Sequence, residues 1–201
     1  MKNPWLKISP LDYENHMIEV GQAQVLNELI KNSLNRYKPY SFALLGCSTG
    51  NGLEHIDSKT TKIVNVIDII PEYLKIAQKR YGSQLYKLII HNIDIENDEL
   101  SIKNVELFFV GLVLEYVDVQ LALEKIINTL SNNGVLAIVI QQTKDESFVS
   151  STKYQSLEKL SLISHEVDAV KMDSYLRQNN MKLVERKIIK LTKEKVFISL
   201  V

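Results

Sequence analysis

The chain has 201 residues, 45% of them hydrophobic, which suits one domain with a developed core and leaves too little for two full ones. Its 24 lysines and arginines balance 24 aspartates and glutamates, so no net field favours a polyanion and nucleic acid is not an expected partner. The single cysteine, Cys47, excludes an intrachain disulfide and a multi-cysteine zinc site; with no continuous apolar stretch of membrane-spanning or leader type, a soluble, cytoplasmic protein is expected.

In chain order, Met1 to Pro10 reads as an irregular lead with Trp5 and Leu6 as its large apolar groups. Ser9 then suits a helix N-cap, with Pro10 at the first helical position and Asp12 and Glu14 in the opening turns. Gly21 should break this helix, and Gln22 to Leu34 starts another, with Val25, Leu26, Leu29 and Ile30 on one face. Tyr13, His16 and Met17 on the first helix suit either ordinary packing or a lid over an α/β site. Phe42 to Leu45, uncharged and apolar, reads as a buried parallel strand that empties into Gly46-Cys47-Ser48-Thr49-Gly50-Asn51-Gly52 before an apolar-periodic segment. Strand, glycine turn and helix in that order let backbone N–H groups and a helix N-terminus approach a nucleotide-like ligand. The next strand, Ile63 to Ile67, ends on Asp68, and Pro71 opens a helix. Asp68 lies roughly twenty residues past the glycine turn, the spacing at which an acidic side chain meets ribose hydroxyls, although it also suits a helix cap.

Leu85 to Ile90 and Val105 to Val110 read as further strands, and Val119 to Leu130 as a helix. Asn132-Asn133-Gly134 reads as a turn, Val135 to Ile140 as a fifth strand, Val167 to Asn179 as a helix, and Met181 to Leu191 with Lys195 to Leu200 as a hairpin. The alternation predicts an α/β, doubly wound sheet whose ligand sits at the carboxyl ends of the strands, where Gly46, Asp68, Asp94, Gly111 and Gln141 converge. Lys190, Lys193 and Lys195 flank the hairpin turn and read as a solvated edge that blocks strand pairing.

The run Leu45 to Gly52, the run Val66 to Leu74 and the run Leu107 to Glu115, with Leu130-Ser131-Asn132-Asn133-Gly134 before the fifth strand, resemble the class I S-adenosylmethionine-dependent methyltransferases. The resemblance covers about Ser41 to Gln142, and the C-terminal hairpin is similar to that family's reversed last strand. It implies a Rossmann-like, seven-stranded sheet, mostly parallel with an antiparallel C-terminal strand, preceded by N-terminal helices. The implied division is a helical cap over 1–39, a cofactor-binding core over 40–142, substrate-side helices over 143–180 and the hairpin over 181–201. S-adenosyl-L-methionine is the implied cofactor. By the same resemblance Gly46, Cys47, Ser48, Gly50 and Gly52 wrap its methionine part and Asp68 holds its ribose. Ile69 packs on the adenine, Asp94 or Asn92 meets the adenine amino group, and Gly111 and Leu112 line the space beside the methyl. Two positions depart from the pattern: Leu44 stands where an acidic residue is common, and Ser48 where glycine is.

A sulfonium is a good leaving group, so alignment of the acceptor and exclusion of water are the main catalytic demands. A base helps if a hydroxyl or ammonium is methylated, and Tyr13, His16, Glu115 and His165 are the candidates, each of which also suits packing or a surface position. No Asn-Pro-Pro-Tyr-type run follows the fourth strand and no acidic metal cluster is evident, which leaves a small-molecule acceptor as the expectation, with monomer and homodimer both open. Thr143 to Leu162 falls where it would shape the acceptor pocket. A nicotinamide-dependent oxidoreductase shares the glycine turn and Asp68 but favours a further glycine that this turn lacks, and a non-catalytic member of the same fold is the other alternative. The P-loop reading fails, because neither Gly50 nor Gly52 is followed by Lys-Ser or Lys-Thr.

Overall fold

The computed structural model of the chain describes residues 3–143, 147–191 and 195–201. A 3-10 turn, Pro4–Lys7, leads into α1 (Pro10–Glu19), whose N-cap Ser9 accepts from Asp12 N at 3.1 Å. Gly21, at φ 74°, separates α1 from α2 (Gln22–Tyr37), as a residue without a Cβ readily can. Then come β1 (Ser41–Leu45), β2 (Ile63–Asp68), α3 (Pro71–Tyr81), β3 (Leu88–Asn92), β4 (Val105–Gly111), α4 (Val119–Ile127), β5 (Leu130–Thr143), α5 (Ala169–Gln178), β6 (Arg186–Lys190) and β7 (Lys195–Leu200).

The strands form one sheet in the order β3-β2-β1-β4-β5-β7-β6, parallel from β3 to β5, with β7 antiparallel to both β5 and β6. Helices cover both faces, so the inner strands are apolar throughout, and all five β1 residues are buried. On β1, Phe42 and Leu44 join a cluster with Leu26, Ile30 and Leu34 of α2 and Leu74 of α3. Ala43 and Leu45 join the opposite cluster with α4 and α5. On β4 the alternation slips once: Val105 and Leu107 fall in different clusters, because the register shifts between them. That slip accommodates Asn132-Asn133-Gly134, the expected turn, which is an excursion inside β5.

Four expectations are corrected. The segment after the glycine turn is not a helix; only a 3-10 turn, Leu53–His55, forms before Asp57 caps the next turn by accepting from Lys59 N at 2.9 Å. The ten residues from Leu53 to Lys62 are too few for a helix and its return to β2, and α2 covers the same face instead. The third strand begins three residues later than expected, since Leu85 closes α3 by donating to Tyr81 O at 3.1 Å. Arg186–Lys190 is the paired core of the wider strand expected from Met181. Lys195 is not a solvated edge lysine: it is 2% exposed and donates to Phe148 O and Ser150 Oγ at 3.2 and 2.8 Å. Lys193 lies outside the described residues. Among the described residues no helix is long and apolar enough to cross a membrane.

Candidate functional site

The glycine turn follows β1 at the carboxyl edge of the sheet. Gly46 (φ 67°) and Cys47 both donate to Ile67 O, which pins the turn to the end of β2. A Cβ on Gly46 would lie 2.4 Å from Val113 Cγ2. Gly46→Ala is therefore expected to destabilise the fold by about 1–3 kcal/mol, measured by urea unfolding. Gly50 (φ 99°) and Gly52 (φ 92°) need their left-handed backbones, and Gly52 packs on Ile30 of α2. Ser48 also adopts a left-handed backbone, φ 50°, which accounts for the preference for glycine there and stores about 1 kcal/mol of strain. α2 holds the turn from below: Asn51 Nδ2 donates to Ala23 O, and Asn27 Nδ2 donates to Asn51 Oδ1. Cys47 is buried against the sheet, and burial pushes its thiol well up.

Asp68 closes β2 directly opposite the turn. Its Oδ2 accepts from Ser48 N at 2.8 Å and its Oδ1 from Ile70 N at 2.9 Å. Each carboxylate oxygen keeps a further lone pair. Burial raises the carboxyl to about 6 against the pull of these N–H groups. Ile69 and Asp94 line the same cavity, along with Gly111 and Leu112 from the end of β4. Leu112 is left-handed, φ 57°, and its N–H is held by Val139 O. Asp94 organises its own loop, with Oδ1 accepting from Glu96 N and Oδ2 from Asn97 Nδ2. Asn92 has a different setting: its amide donates to Asp68 O and Ile69 O, both at 3.0 Å, bracing the backbone of the β2 terminus rather than lining the cavity.

Two cavities meet at this edge. The first lies between Asp68, Ile69, Asp94 and the aromatic side chains of Trp5, Tyr73 and Tyr116. The second runs over the glycine turn beneath α1 and ends at Glu14 and Arg80. Arg80 pairs with Glu14, Nη2 donating to Oε2 at 3.2 Å, and Thr49 Oγ1 donates to the same carboxylate. The Arg80 guanidinium holds the Glu14 carboxyl below its usual range. No motif marks this group in the sequence, because its three members come from α1, the glycine turn and the last turn of α3.

A third cavity lies behind α1 among Met17, Leu112, Phe148, Leu157 and Leu160, the last two on a 3-10 segment, Gln155–Leu162. Part of the 143–162 stretch thus shapes a cavity as expected; residues 144–146 lie outside the described ones. Tyr13 lines all three cavities. Its ring stands 5.5 Å from Tyr73 and 5.9 Å from Trp5, and burial next to Asp68 pushes its phenol up. His16 lines the third cavity, its Nδ1 2.9 Å from Thr152 Oγ1, and burial lowers its basicity.

Glu115 is not with them. It is fully buried, it lines none of the three cavities, and its Oε1 accepts from Gln141 N at 2.6 Å while Oε2 has no hydrogen-bond partner among the described residues. Burial raises its carboxyl to about 7. His165 is also apart; its backbone N–H donates to Glu115 O, and its side chain lines a separate open surface hollow.

Residues 44–138 match the family described as Methyltransferase domain. A search of curated proteins gives no match. Among solved structures, the plantazolicin methyltransferase BpumL in complex with SAH superposes with a TM-score of 0.68 at 15% identity, over 94% of this chain and 88% of that one. The N-methyltransferase NodS from Bradyrhizobium japonicum WM9, in complex with S-adenosyl-L-homocysteine, gives 0.63 at 17% identity, over 89% and 86%. An S-adenosylmethionine-dependent methyltransferase from Clostridium acetobutylicum ATCC 824 gives 0.61 at 15% identity, over 87% and 89%. The matched residues run from the end of β1 into β5 and carry the glycine turn, Asp68 and Gly111; this stretch is a methyltransferase domain, on a fold the chain shares with S-adenosylmethionine-dependent methyltransferases.

Proposed function

We propose that the chain binds S-adenosylmethionine across the first two cavities and transfers its methyl group to a small molecule held in the third. The observation that carries this reading is the meeting of the three cavities at Tyr13, directly beside the glycine turn and Asp68. The donor set suits that ligand. Asp68, with a lone pair left on each oxygen, takes the ribose hydroxyls; Ile69 supplies an apolar surface for the adenine, and Asp94 an acceptor for its amino group. Asn92 supports this wall from behind. At the far end Glu14 and Arg80 complement an α-ammonium and an α-carboxylate, exchanging their mutual contact for contacts to the ligand.

When bound, S-adenosylmethionine supplies a methyl carbon whose bond to a positively charged sulfur breaks with the electron pair returning to sulfur. The chain's own part is to align the acceptor on that carbon and keep water out. Tyr13 and Leu112 stand at the junction where alignment is set, and Trp5, Tyr116 and Phe148 close the space around it, with Trp5 and Tyr116 5.1 Å apart edge to face.

Calorimetric titration tests the reading. Saturable binding of S-adenosylmethionine and S-adenosylhomocysteine, with no heat from nicotinamide dinucleotides, is expected. Binding of a dinucleotide in place of the sulfur ligands would transfer the chain to the oxidoreductase alternative, and binding of neither would leave a fold without its cofactor.

A further inference from the structure

The third cavity carries more chemistry than a generic pocket. Among the described residues no Asp, Glu, Lys or Arg lines it, so nothing in that part of the wall pairs with a charged acceptor. Its polar groups are few and mostly engaged: Gln22 Nε2 donates to Gln141 Oε1 at 2.6 Å, and Gln141 Nε2 donates to Phe148 O at 2.7 Å. The ring pairs Trp5–Tyr116 and Tyr116–Phe148 both meet edge to face, at 5.1 and 6.1 Å, and all three rings line the cavity.

His16 is the exception in this wall. It is 4% exposed, and its Nδ1 lies 2.9 Å from Thr152 Oγ1, while Nε2 has no hydrogen-bond partner among the described residues. Thr152 Oγ1 already accepts from Tyr154 N at 3.2 Å and retains a second lone pair. Resting on the methyltransferase reading, we infer that the third cavity takes an uncharged, flat molecule bearing a hydroxyl, and that His16 Nε2 is the base that removes the hydroxyl proton. Thr152 is a positioning residue that accepts Nδ1–H and so keeps Nε2 unprotonated. In the transfer, the acceptor's O–H bond breaks and its proton goes to Nε2. The oxygen's electron pair forms the bond to the methyl carbon, the carbon–sulfur pair returns to sulfur, and the imidazolium then releases its proton to solvent.

The groups facing His16 agree with a neutral resting imidazole. Glu19 on its own helix favours the charged form, Lys195 on β7 opposes it, and the phenols of Tyr13 and Tyr116 share the cavity. Burial outweighs these, so the ring is unprotonated near neutral pH, the state a base needs.

Two measurements test this. Nitrogen NMR of histidine-labelled protein, with the His16 signal identified by its absence in His16→Gln, is expected to give the Nδ1–H tautomer above neutral pH. Thr152→Ser should preserve that tautomer and Thr152→Val should lose it. A dominant Nε2–H tautomer overturns the proposal. The second is transfer of a labelled methyl from S-adenosylmethionine to a panel of uncharged phenols and a panel of primary alkylamines. Phenols should be methylated and amines not, and His16→Gln should lower kcat/KM about 10²- to 10⁴-fold with calorimetric affinity for S-adenosylhomocysteine unchanged. Methylation of the amines, or of no phenol, by protein that binds the cofactor overturns the proposal. Failure to bind the cofactor strikes the methyltransferase reading instead, and the tautomer measurement then decides the role of Thr152 by itself.

Discussion

Asp68→Asn is expected to lower affinity for S-adenosylhomocysteine about 100-fold, because each of the two ribose contacts proposed for it changes from a charged to a neutral acceptor or is lost. A second effect follows from the free protein. The two carboxylate oxygens accept one N–H each, from Ser48 and Ile70. Asparagine has one oxygen, so its amide group must face one of those buried N–H groups, at a cost of about 1–3 kcal/mol in stability. Calorimetry and urea unfolding on the same variant read the two effects separately. Wild-type affinity should also fall below pH 6, because the carboxyl titrates at about 6 and the ribose favours its ionised form. An affinity that is the same in wild type and variant would remove Asp68 from the ribose site.

Glu115→Gln should have the opposite sign. Glu115 is fully buried, and one of its oxygens has no partner among the described residues. Its carboxyl is raised from 4.5 to about 7, mainly by desolvation. A carboxyl raised on folding contributes most below its unfolded value, and that contribution is lost as pH rises through the folded one. Wild type should therefore lose about 3 kcal/mol relative to Glu115→Gln between pH 4.5 and 7, with the difference constant above that. The glutamine keeps an oxygen for Gln141 N and charges nothing. Denaturant unfolding of both proteins at pH 4.5 and 8 measures the effect, and equal slopes with pH would refute it. Methyl transfer should survive this substitution, since Glu115 lines none of the three cavities.

The parts legible in the sequence are those whose cause is local. Ser9 and Pro10 start α1 with a cap that needs only neighbouring residues, and Gly21 divides two helices by its own backbone freedom. The uncharged run before Gly46 and the spacing to Asp68 place both at one edge of the sheet, since parallel strands with short crossovers leave little choice. What was not legible depends on distant segments. Glu14, Thr49 and Arg80 meet only once α1 lies over the glycine turn and α3. Thr152 meets His16 across 136 positions. Where Asn92 and Asp94 stand depends on where β3 begins, which Leu85 fixes by closing α3: Asn92 ends the strand and Asp94 lies in the loop beyond it. Lys195 departs from the edge pattern because charge patterning marks an edge only when the side chain points outward, and this one reaches Phe148 O and Ser150 Oγ.

The 3-10 turn that replaces a helix after the glycine turn has a kinetic consequence. In a βαβ unit with its own crossover helix, the first two strands and their cover fold as a contiguous piece. Here the cover over Phe42 and Leu44 is α2, which also reaches Phe109 of β4, and the glycine turn is held by Asn27 and Ala23 of that helix. The nucleus of the cofactor site must therefore bring together α2, β1 and β4, a closure spanning some seventy positions, before the turn has its shape. Trimming Ile30 to Val should accordingly slow refolding as well as speed unfolding, whereas the same trimming at Ile188, on the exposed edge strand β6, should leave the refolding rate unchanged.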